Sequence, residues 1–403
     1  PPSAQSPAKL APITVQTSRY DYARDPQLSE FRLDRQRLEQ MPGTSEDVAR
    51  SLQQLPGTAA GDFSARTHVR GSRDDETTFR YDGVTLIDPF HLKNFQALFS
   101  AIDPAVSESV QLWTGDFPIE YGGSIGAVAD IAARRPDTRI AEAGLSVLNT
   151  SLLLGTPFAQ DRGSVLVGGR ASNLSHVAQL LDRDIGTPDF RDLTARLTWR
   201  LGSSVDLSAG VLALNDAVDL SRQDPLQIAA ARYRDTYVWS RALYALPRGL
   251  QGETLLSSAS LDARRDARVE RPGINRGSLS EMRNSSVFDL RQEFGGGGGR
   301  FMTWRAGAQY THASSLAGVD SQVIYAPPFY PGLQSTASLR RLLNVSADYT
   351  TFAIHGVTRW QLGDATVLES GLRRDSQTAA QASTRPSTSE RLCPASATSA
   401  SEL

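Results

Sequence analysis

Cysteine is nearly absent from this sequence: Cys393 is the only one in 403 residues, which excludes an intrachain disulfide and a thiolate metal cage. Positive charge is not in excess either. The 42 lysines and arginines against 44 aspartates and glutamates give a net charge of −2, which argues against a nucleic-acid partner. The five histidines do not fall at metal-ligand spacing, so we expect neither a metal site nor another cofactor. No arrangement of serine, histidine and carboxylate for nucleophilic catalysis stands out, and we therefore expect no enzymatic activity.

Long apolar runs are missing too. The longest charge-free apolar stretch, residues 143–160, is interrupted by Asn149, Thr150, Gly155 and Pro157. It therefore falls short of the roughly 20 apolar residues that a membrane-spanning helix needs. Closed β-barrels also cross bilayers, and their signal per strand is much weaker. A membrane barrel thus stays open as an interpretation.

Composition divides the chain into four regions. We expect a flexible, Pro-, Ala-, Ser- and Gln-rich arm over residues 1–29, a compact α+β domain over 30–137, a strand-rich region over 138–375, and an unstructured low-complexity tail over 376–403.

The 30–137 region shows one helix start and several short strands. Thr44 and Ser45 followed by Asp47 have the form of a capping box, and the predicted helix ends before Pro56-Gly57. Asp82-Gly83, between two β-prone runs, predicts a two-residue hairpin turn. The predicted short strands cover residues 67–69, 78–81, 84–87, 110–113 and 127–131.

The 138–375 region alternates between apolar and polar residues. In residues 193–201, Leu197 and Trp199 share one face while Arg196 and Arg200 share the other, which indicates a strand with one apolar and one wet side. About eleven strands are predicted, near 140–147, 150–158, 163–173, 191–201, 204–216, 235–247, 251–264, 284–294, 299–312, 344–362 and 364–373.

The predicted connections between these strands alternate between short and long. The long ones fall near 174–190, 217–234, 265–283 and 313–343. This asymmetry favours an outer-membrane barrel. The alternation by itself also fits a soluble antiparallel sheet, so both remain possible at this point.

Motifs in the first 137 residues resemble, in this order, the plug domain of TonB-dependent outer-membrane receptors. They are LQQLPG at 52–57, VRG at 69–71, YDGVTL at 81–86, GDFPIEYGG at 115–123 and VADIAARR at 128–135. The segment ITVQTSR at 13–19 resembles the TonB box of the same family. Several spaced motifs in one order are a more specific signal than any of them alone.

The resemblance implies a membrane β-barrel with an N-terminal α+β plug, in the outer membrane of a Gram-negative bacterium. The implied partners are the TonB C-terminal domain with the inner-membrane ExbB–ExbD motor, a small extracellular ligand and outer-membrane lipid. The ligand would be an iron–siderophore complex, cobalamin or an oligosaccharide, taken up at the expense of inner-membrane energy. The implied TonB-binding residues are Ile13, Thr14, Val15, Gln16 and Thr17, which could add as a β-strand to TonB. The alternative is an ordinary disordered leader.

The plug motifs contain residues for which we expect structural roles, mostly in tight turns. They are Arg70, Gly71, Asp82, Gly83, Tyr121, Gly122, Gly123, Arg134 and Arg135. Three of them, Arg70, Arg134 and Arg135, could form ion pairs with acidic groups on the barrel wall. If these pairs are solvated, each contributes less than about 1 kcal/mol.

The ligand would bind on the apical segments 72–77 and 88–96 and on the inner wall. Candidate ligand contacts are Arg73, Phe90, His91 and Phe95, because aromatic rings beside polar groups suit a small organic ligand.

The strand count falls short of the family's. Plugged outer-membrane transporters have about 22 strands, and a partial sheet of about eleven would leave two unpaired edges in the bilayer. The abrupt change of composition after Arg374 leads us to hypothesise the N-terminal half of a receptor, truncated near Asp375 by an early stop or a frameshift. Two other functions stay open, a TonB-dependent signal transducer and a soluble β-rich binding protein.

Overall fold

The computed structural model describes most of the chain from Glu30 onward. The described residues are 30–41, 47–61, 64–93, 97–175, 187–219, 226–297, 301–326, 338–362, 366–379 and 385–387. The predicted TonB-binding segment, residues 13–17, and the candidate ligand contact Phe95 lie outside them.

The N-terminal domain is a small α+β unit built on a five-stranded sheet. Its elements are β1 (Glu30–Asp34), α1 (Arg35–Gln40), α2 (Val48–Leu52), β2 (Thr58–Ala60), β3 (Thr67–Val69), β4 (Thr77–Tyr81), β5 (Val84–Leu86), β6 (Phe90–His91), β7 (Phe99–Ser100), β8 (Ser107–Trp113) and β9 (Ala127–Ala133). The strand order is β1-β8-β9-β4-β5, in which only β4 and β9 run parallel, while β2 pairs β3 and β6 pairs β7. All five predicted short strands are present, and the bounds of each agree with the prediction to within three residues.

Helix α2 begins three residues later than the capping-box interpretation suggested. Asp47 is itself the N-cap, because its side chain accepts a hydrogen bond from the backbone N–H of Arg50 at 3.1 Å. A second oxygen of the same carboxylate accepts from the backbone N–H of Ser100. An aspartate can cap a helix as well as a hydroxyl does, so sequence alone did not distinguish the two starts. Thr44 and Ser45 lie outside the described residues.

Eleven long strands follow in one antiparallel sheet, which we call the wall. They are β10 (Ile140–Leu145), β11 (Asn149–Phe158), β12 (Gly163–Ser172), β13 (Thr187–Leu201), β14 (Val205–Asp219), β15 (Gln227–Leu246), β16 (Leu250–Arg271), β17 (Asn275–Gly297), β18 (Met302–Tyr325), β19 (Ser338–Gln361) and β20 (Val367–Ala379). Each strand pairs with the next along the chain. The eleven predicted strands are confirmed in number and order. Within the described residues β10 and β20 do not pair with each other, so the sheet has two open edges.

The strands are longer than predicted at the ends that carry the long connections. The segment 265–283, predicted as a loop, is a continuation of β16 and β17, with only residues 272–274 between them. Most side chains on both faces are polar there, with Val269, Leu279 and Met282 as isolated exceptions, so no regular period-two hydrophobic pattern is present. The backbone ladder does not depend on that pattern and continues.

The start of the predicted tail is also ordered. Strand β20 runs to Ala379, and a short strand β21 (Arg385–Ser387) pairs with residues 342–344 of β19. The expectation of an unstructured segment is therefore wrong for residues 376–379 and 385–387. Backbone pairing with β19 compensates for the low β-propensity of these residues.

The two faces of the wall differ in character. The outer face carries exposed aliphatic and aromatic side chains, of which Leu197 is typical at 48% exposure. The inner face packs against the N-terminal domain, and Leu212, Leu214 and Leu255 of the wall share one hydrophobic core with that domain. The predicted division near residue 137 falls in the connection between β9 and β10.

No helix among the described residues is long and apolar enough to cross a membrane.

Contacts between the N-terminal domain and the wall

The turn between β4 and β5 inserts a buried carboxylate into the wall. Asp82 has φ +48° and Gly83 has φ +90°, as a type I′ hairpin turn requires at its two central positions. Tyr81 pairs with Val84 on either side of the turn. The Asp-Gly prediction therefore coincides with an observed two-residue turn, and glycine at the second position avoids the strain that a side chain would suffer at this φ.

Asp82 is held by three side chains from two wall strands. Arg196 of β13 donates to it through Nε at 2.9 Å and through Nη2 at 3.2 Å. Trp239 of β15 donates from Nε1 at 3.1 Å, and Arg241 of the same strand donates from Nη1 at 3.4 Å. Arg241 also binds Glu253 of β16 at 3.0 Å. We call this set the Asp82 contact.

Two opposing effects set the pKa of Asp82. Burial is the largest single cause and by itself would raise the pKa. The charges of Arg196 and Arg241 and the hydrogen bonds from Arg196 and Trp239 lower it, and their combined effect exceeds that of burial, so the pKa lies below its usual value. Asp82 is thus an ionised carboxylate with only 4% of its surface exposed.

The carbonyl group of the next residue extends the Asp82 contact inside the turn. Arg80 of β4 donates to the Gly83 carbonyl oxygen at 3.0 Å, and Arg291 of β17 donates to the same oxygen at 3.2 Å. The turn is therefore bound by three strands of the wall, β13, β15 and β17.

A second contact lies closer to the ends of the strands that carry the long connections. His91 of β6 is fully buried between Asp216 of β14, whose Oδ1 lies 2.6 Å from Nδ1, and Asp192 of β13, whose Oδ2 lies 3.1 Å from Nε2. Its ring stacks on Phe190 at a centroid distance of 4.3 Å. Arg170 of β12 also donates to Asp192, from Nε at 2.9 Å. We call this set the His91 contact.

Lys93 and Tyr237 attach the segment around His91 to β15. The Lys93 ammonium lies 2.6 Å from an oxygen of Asp235, and its stem is largely buried. The Tyr237 hydroxyl donates to the Ile87 carbonyl oxygen at 3.0 Å and accepts from the Ile87 N–H at 3.1 Å. Residues 87–93 are therefore anchored to three neighbouring wall strands.

A third contact lies at residues 119–122. Glu120 forms an ion pair with Arg305 of β18. Arg373 of β20 donates to the carbonyl oxygens of Ile119 at 3.2 Å and of Glu120 at 3.5 Å. Gly122 lies under this guanidinium, so a Cβ there would meet Nε of Arg373 and that flexible side chain would have to shift.

The other residues of the plug motifs have mainly local roles. Arg70 has φ +50° and Gly71 φ +81°, and the Arg70 N–H donates to the Gly57 carbonyl oxygen at 2.8 Å. Gly123 has φ +77°. Tyr121 donates to Asp130 at 2.8 Å and carries the Arg80 guanidinium over its ring.

The two arginines after β9 lie near carboxylates of the wall. Arg134 lies 3.3 Å from Glu142 of β10, and Arg135 lies 3.6 Å from Asp206 of β14. Arg134 is nearly buried and also donates to the Ala105 carbonyl oxygen at 3.2 Å. These two pairs are partly solvated, because Glu142 and Asp206 are exposed, whereas the pairs of Asp82, His91 and Glu120 are buried.

The candidate ligand contacts separate into exposed and buried side chains. Arg73 is 74% exposed and pairs with the exposed Asp75 at 2.7 Å. Phe90 and His91 are buried, Phe90 against Phe79 and the Arg66 guanidinium. Neither presents surface to a ligand in this structure, because Phe90 packs within the N-terminal domain and wall strands β13 and β14 enclose His91.

The functional residues that sequence reasoning missed are the wall partners of these contacts. They are Asp192, Arg196, Asp216, Asp235, Arg241, Glu253, Arg291, Arg305 and Arg373. Strand alternation assigns several of them to a wet face, but it contains no information about which residue of the N-terminal domain each one meets.

A family model covers the N-terminal domain. Residues 24–128 match the model described as TonB-dependent Receptor Plug Domain. No curated protein sequence matches the chain.

Solved structures of low sequence identity share the fold. FpvA of Pseudomonas aeruginosa, in a complex with a pyoverdine and iron, superimposes with a TM-score of 0.61 at 13% identity, over 91% of this chain and 53% of that one. The ferric yersiniabactin uptake receptor FyuA of Yersinia pestis gives 0.51 at 15% identity, over 87% and 61%. The ferric preacinetobactin receptor BauA of Acinetobacter baumannii gives 0.50 at 12% identity, over 87% and 61%. The chain thus spans between half and two thirds of the length of each.

The fold and its buried contacts define a plugged β-sheet wall, one part of a barrel with a domain seated against its inner face. Residues 24–128 are similar to the plug domain of TonB-dependent receptors, and this domain and the wall together share the fold of part of the plugged barrel in the structures above. The N-terminal domain is called the plug from here on.

Proposed function

We propose that this chain is the plug and part of the barrel of an outer-membrane receptor that takes up a scarce ligand when TonB displaces the plug. The observation that carries the proposal is the polar nature of the plug–wall contacts. Asp82, His91 and Glu120 each meet oppositely charged groups of the wall. Charge pairs of this kind fix one seated position beside the apolar part of the interface around Leu212 and Leu255, and water can replace them when the plug is displaced.

The outer face of the wall supports a location in a bilayer. Apolar side chains are exposed on the outer face within about ten residues of the strand ends at the short turns. Examples are Leu193, Leu197, Val238, Phe352 and Ile354. Strands of about 9–11 residues suffice to cross the hydrocarbon region. We infer that the extensions of β15 to β19 beyond that length stand outside the membrane.

Cell fractionation tests this location. The protein made by its own gene should appear in the outer-membrane fraction and require detergent for extraction. A detergent-free, monomeric protein in the periplasm or the medium would contradict the proposal and favour a soluble β-rich binding protein.

A ferric siderophore complex is the ligand class that we favour over cobalamin or an oligosaccharide. The support is that the three structures reported above belong to a pyoverdine-binding protein and to two ferric-siderophore receptors. Arg73 remains the exposed candidate contact on the plug, while Phe90 and His91 would need the segment 87–93 to move before they met a ligand.

Iron uptake in cells tests the ligand and the energy source together. A strain that carries the gene should accumulate labelled iron from one ferric chelate, and uptake should stop when TonB is deleted. Val15→Pro should abolish uptake but leave ligand binding intact, because proline removes a donor from the strand that would add to TonB. Ala4→Pro, in the same arm but outside the TonB-box-like segment, is the matched control. Equal uptake with and without TonB would refute the mechanism.

The open edges of the sheet support a larger assembly. Exposed N–H and C=O groups on β10 and β20 would each cost several kcal/mol in a bilayer. We propose that further strands pair with these edges in the complete receptor. Truncation near Asp375 stays a prediction, which the coding DNA tests: alternating strands should continue in one of the three downstream frames, and their absence from all three would refute it.

A further inference from the structure

His91 has a hydrogen-bonding arrangement that only one of its protonation states satisfies. Both ring nitrogens lie within hydrogen-bond distance of a carboxylate. The Nδ1 atom of His91 is 2.6 Å from Asp216, and its Nε2 atom is 3.1 Å from Asp192. An ionised carboxylate only accepts, and a neutral imidazole has a single N–H. A neutral ring would therefore place one lone pair against a carboxylate oxygen, while the imidazolium donates to both.

The two carboxylates have further donors that stabilise their ionised forms. Asp192 accepts from Nε of Arg170 at 2.9 Å and, through its other oxygen, from the Arg170 backbone N–H at 3.1 Å. Asp216 accepts from the Leu92 backbone N–H at 3.1 Å. The extra proton of the cluster consequently belongs to His91 and not to an aspartate.

The charged side chains that pair at 3.1 Å or less around His91 balance only when its ring carries a proton. The cations are then His91, Lys93 and Arg170, and the anions are Asp192, Asp216 and Asp235. The other charged groups near this cluster on the elements packed around it are Asp47, Arg66, Asp88 and Asp103. Of these, Arg66 and Asp88 form a pair of their own, and Asp103 lies 3.9 Å from Arg170.

We propose that His91 is a positioning residue whose protonated ring holds segment 87–93 of the plug against the wall, so that this part of the plug loosens when the ring loses its proton. The Asp82 contact would not respond in this way, because an arginine does not lose its proton in the accessible range. The inference rests on the proposed function, since it assigns His91 a part in seating the domain that transport must displace.

The direction of the response follows from the pKa of His91. Burial alone would lower it, but the charges of Asp216 and Asp192 and their hydrogen bonds outweigh burial and raise it above its usual value. A raised pKa in the seated state means that the contact is complete below the ordinary histidine pKa of about 6.5. The contact is then lost as the pH rises through the raised value.

Cysteine labelling measures the seating of this segment. Ala101 is buried and donates its N–H to the Pro89 carbonyl oxygen at 2.8 Å. A cysteine at this position, Ala101→Cys in a Cys393→Ser background, should therefore become accessible when segment 87–93 leaves the wall. Labelling by a water-soluble maleimide is measured on isolated outer membranes at several pH values. The exposed Glu108→Cys in the same background corrects for the pH dependence of the thiol.

We expect slow labelling at neutral pH and labelling faster by about tenfold or more at alkaline pH. His91→Gln should be labelled fast at every pH, because the buried Asp216 then lacks a cationic partner and Asp192 keeps only Arg170. Adding Asp216→Asn to His91→Gln should restore slow labelling without pH dependence, since the charges balance again. His68→Gln, which changes an exposed histidine of the same domain, should behave like the parent.

Slow labelling of His91→Gln at every pH would overturn the inference, as would fast labelling of the double variant, which would mean that shape and not charge is required. The same preparations separate this outcome from failure of the proposed function. Labelling as expected without TonB-dependent uptake refutes transport alone, and TonB-dependent uptake with pH-independent labelling refutes the role of His91 alone.

Discussion

Replacing Asp82 by asparagine removes the central charge of the plug–wall contact with little change of shape. Asparagine tolerates the positive φ of this position, and Asn-Gly is a preferred pair in type I′ turns. The hairpin between β4 and β5 should therefore keep its backbone. What changes is that Arg196 loses its buried carboxylate partner, while Arg241 keeps Glu253 at 3.0 Å.

The expected cost follows from the burial of this contact. Removing one partner of a buried ion pair typically destabilises by about 3–5 kcal/mol. The lower end applies here, because asparagine can still accept one hydrogen bond and because both arginines retain a little solvent exposure. We expect Asp82→Asn to lower the free energy of unseating the turn by about 3 kcal/mol, which raises the equilibrium constant for unseating roughly a hundredfold.

Hydrogen exchange at residues 79–86 measures this change. If these amides exchange when the turn leaves the wall, Asp82→Asn should raise their exchange rates by about a hundredfold. Asp75→Asn is the matched control, because Asp75 forms an exposed pair with Arg73 and should cost less than about 0.5 kcal/mol. Exchange in Asp82→Asn that stays within about threefold of the parent would show that the ion pairs do not hold the turn.

Three further predictions follow from the same contacts. Protection of the amides of residues 79–93 from hydrogen exchange should be greatest between about pH 4 and pH 6.5. Because the pKa of Asp82 is lowered, its stabilising contribution is lost as the pH falls through that pKa. Because the pKa of His91 is raised, its contribution is lost as the pH rises through that pKa. A flat profile would contradict both assignments. Tyr237→Phe should lower thermal stability by about 1–2 kcal/mol, because the buried hydroxyl makes two hydrogen bonds to Ile87, and an unchanged melting temperature would refute this. If the outer face meets lipid near the bilayer midplane, Leu197→Arg should destabilise the folded protein by about 2–4 kcal/mol and so reduce its amount in the outer membrane. Equal amounts of variant and parent would place Leu197 away from lipid.

Several features of the fold followed from local sequence. The alternation of residues 193–201 assigned Leu197 to the outer face and Arg196 to the inner face, and Asp82-Gly83 marked the turn that enters the wall. The order of the plug motifs agreed with the family-model match over residues 24–128. The lengths of the outer strands were not predictable in the same way, because the extensions of β16 and β17 are mostly polar on both faces.

The candidate site was harder to predict than the fold. His91 drew attention as an isolated histidine in a polar, aromatic segment and suggested a ligand contact. Its burial depends on Asp192 and Asp216, which are 101 and 125 residues away in the chain. Neither the spacing nor the residue types around His91 indicate those partners.

The number of wall strands, their wet and apolar faces and the hairpin turn could be predicted from the sequence, because each depends on residues that are close together in the chain. The kind of domain that precedes the wall was indicated by the order of several spaced motifs. Which charges meet was visible only in the folded protein. Asp82 and Arg196 are separated by 114 residues, and their contact depends on the height and rotation at which the plug sits against the wall. That placement is set by packing over the whole interface, which no local pattern of residues records.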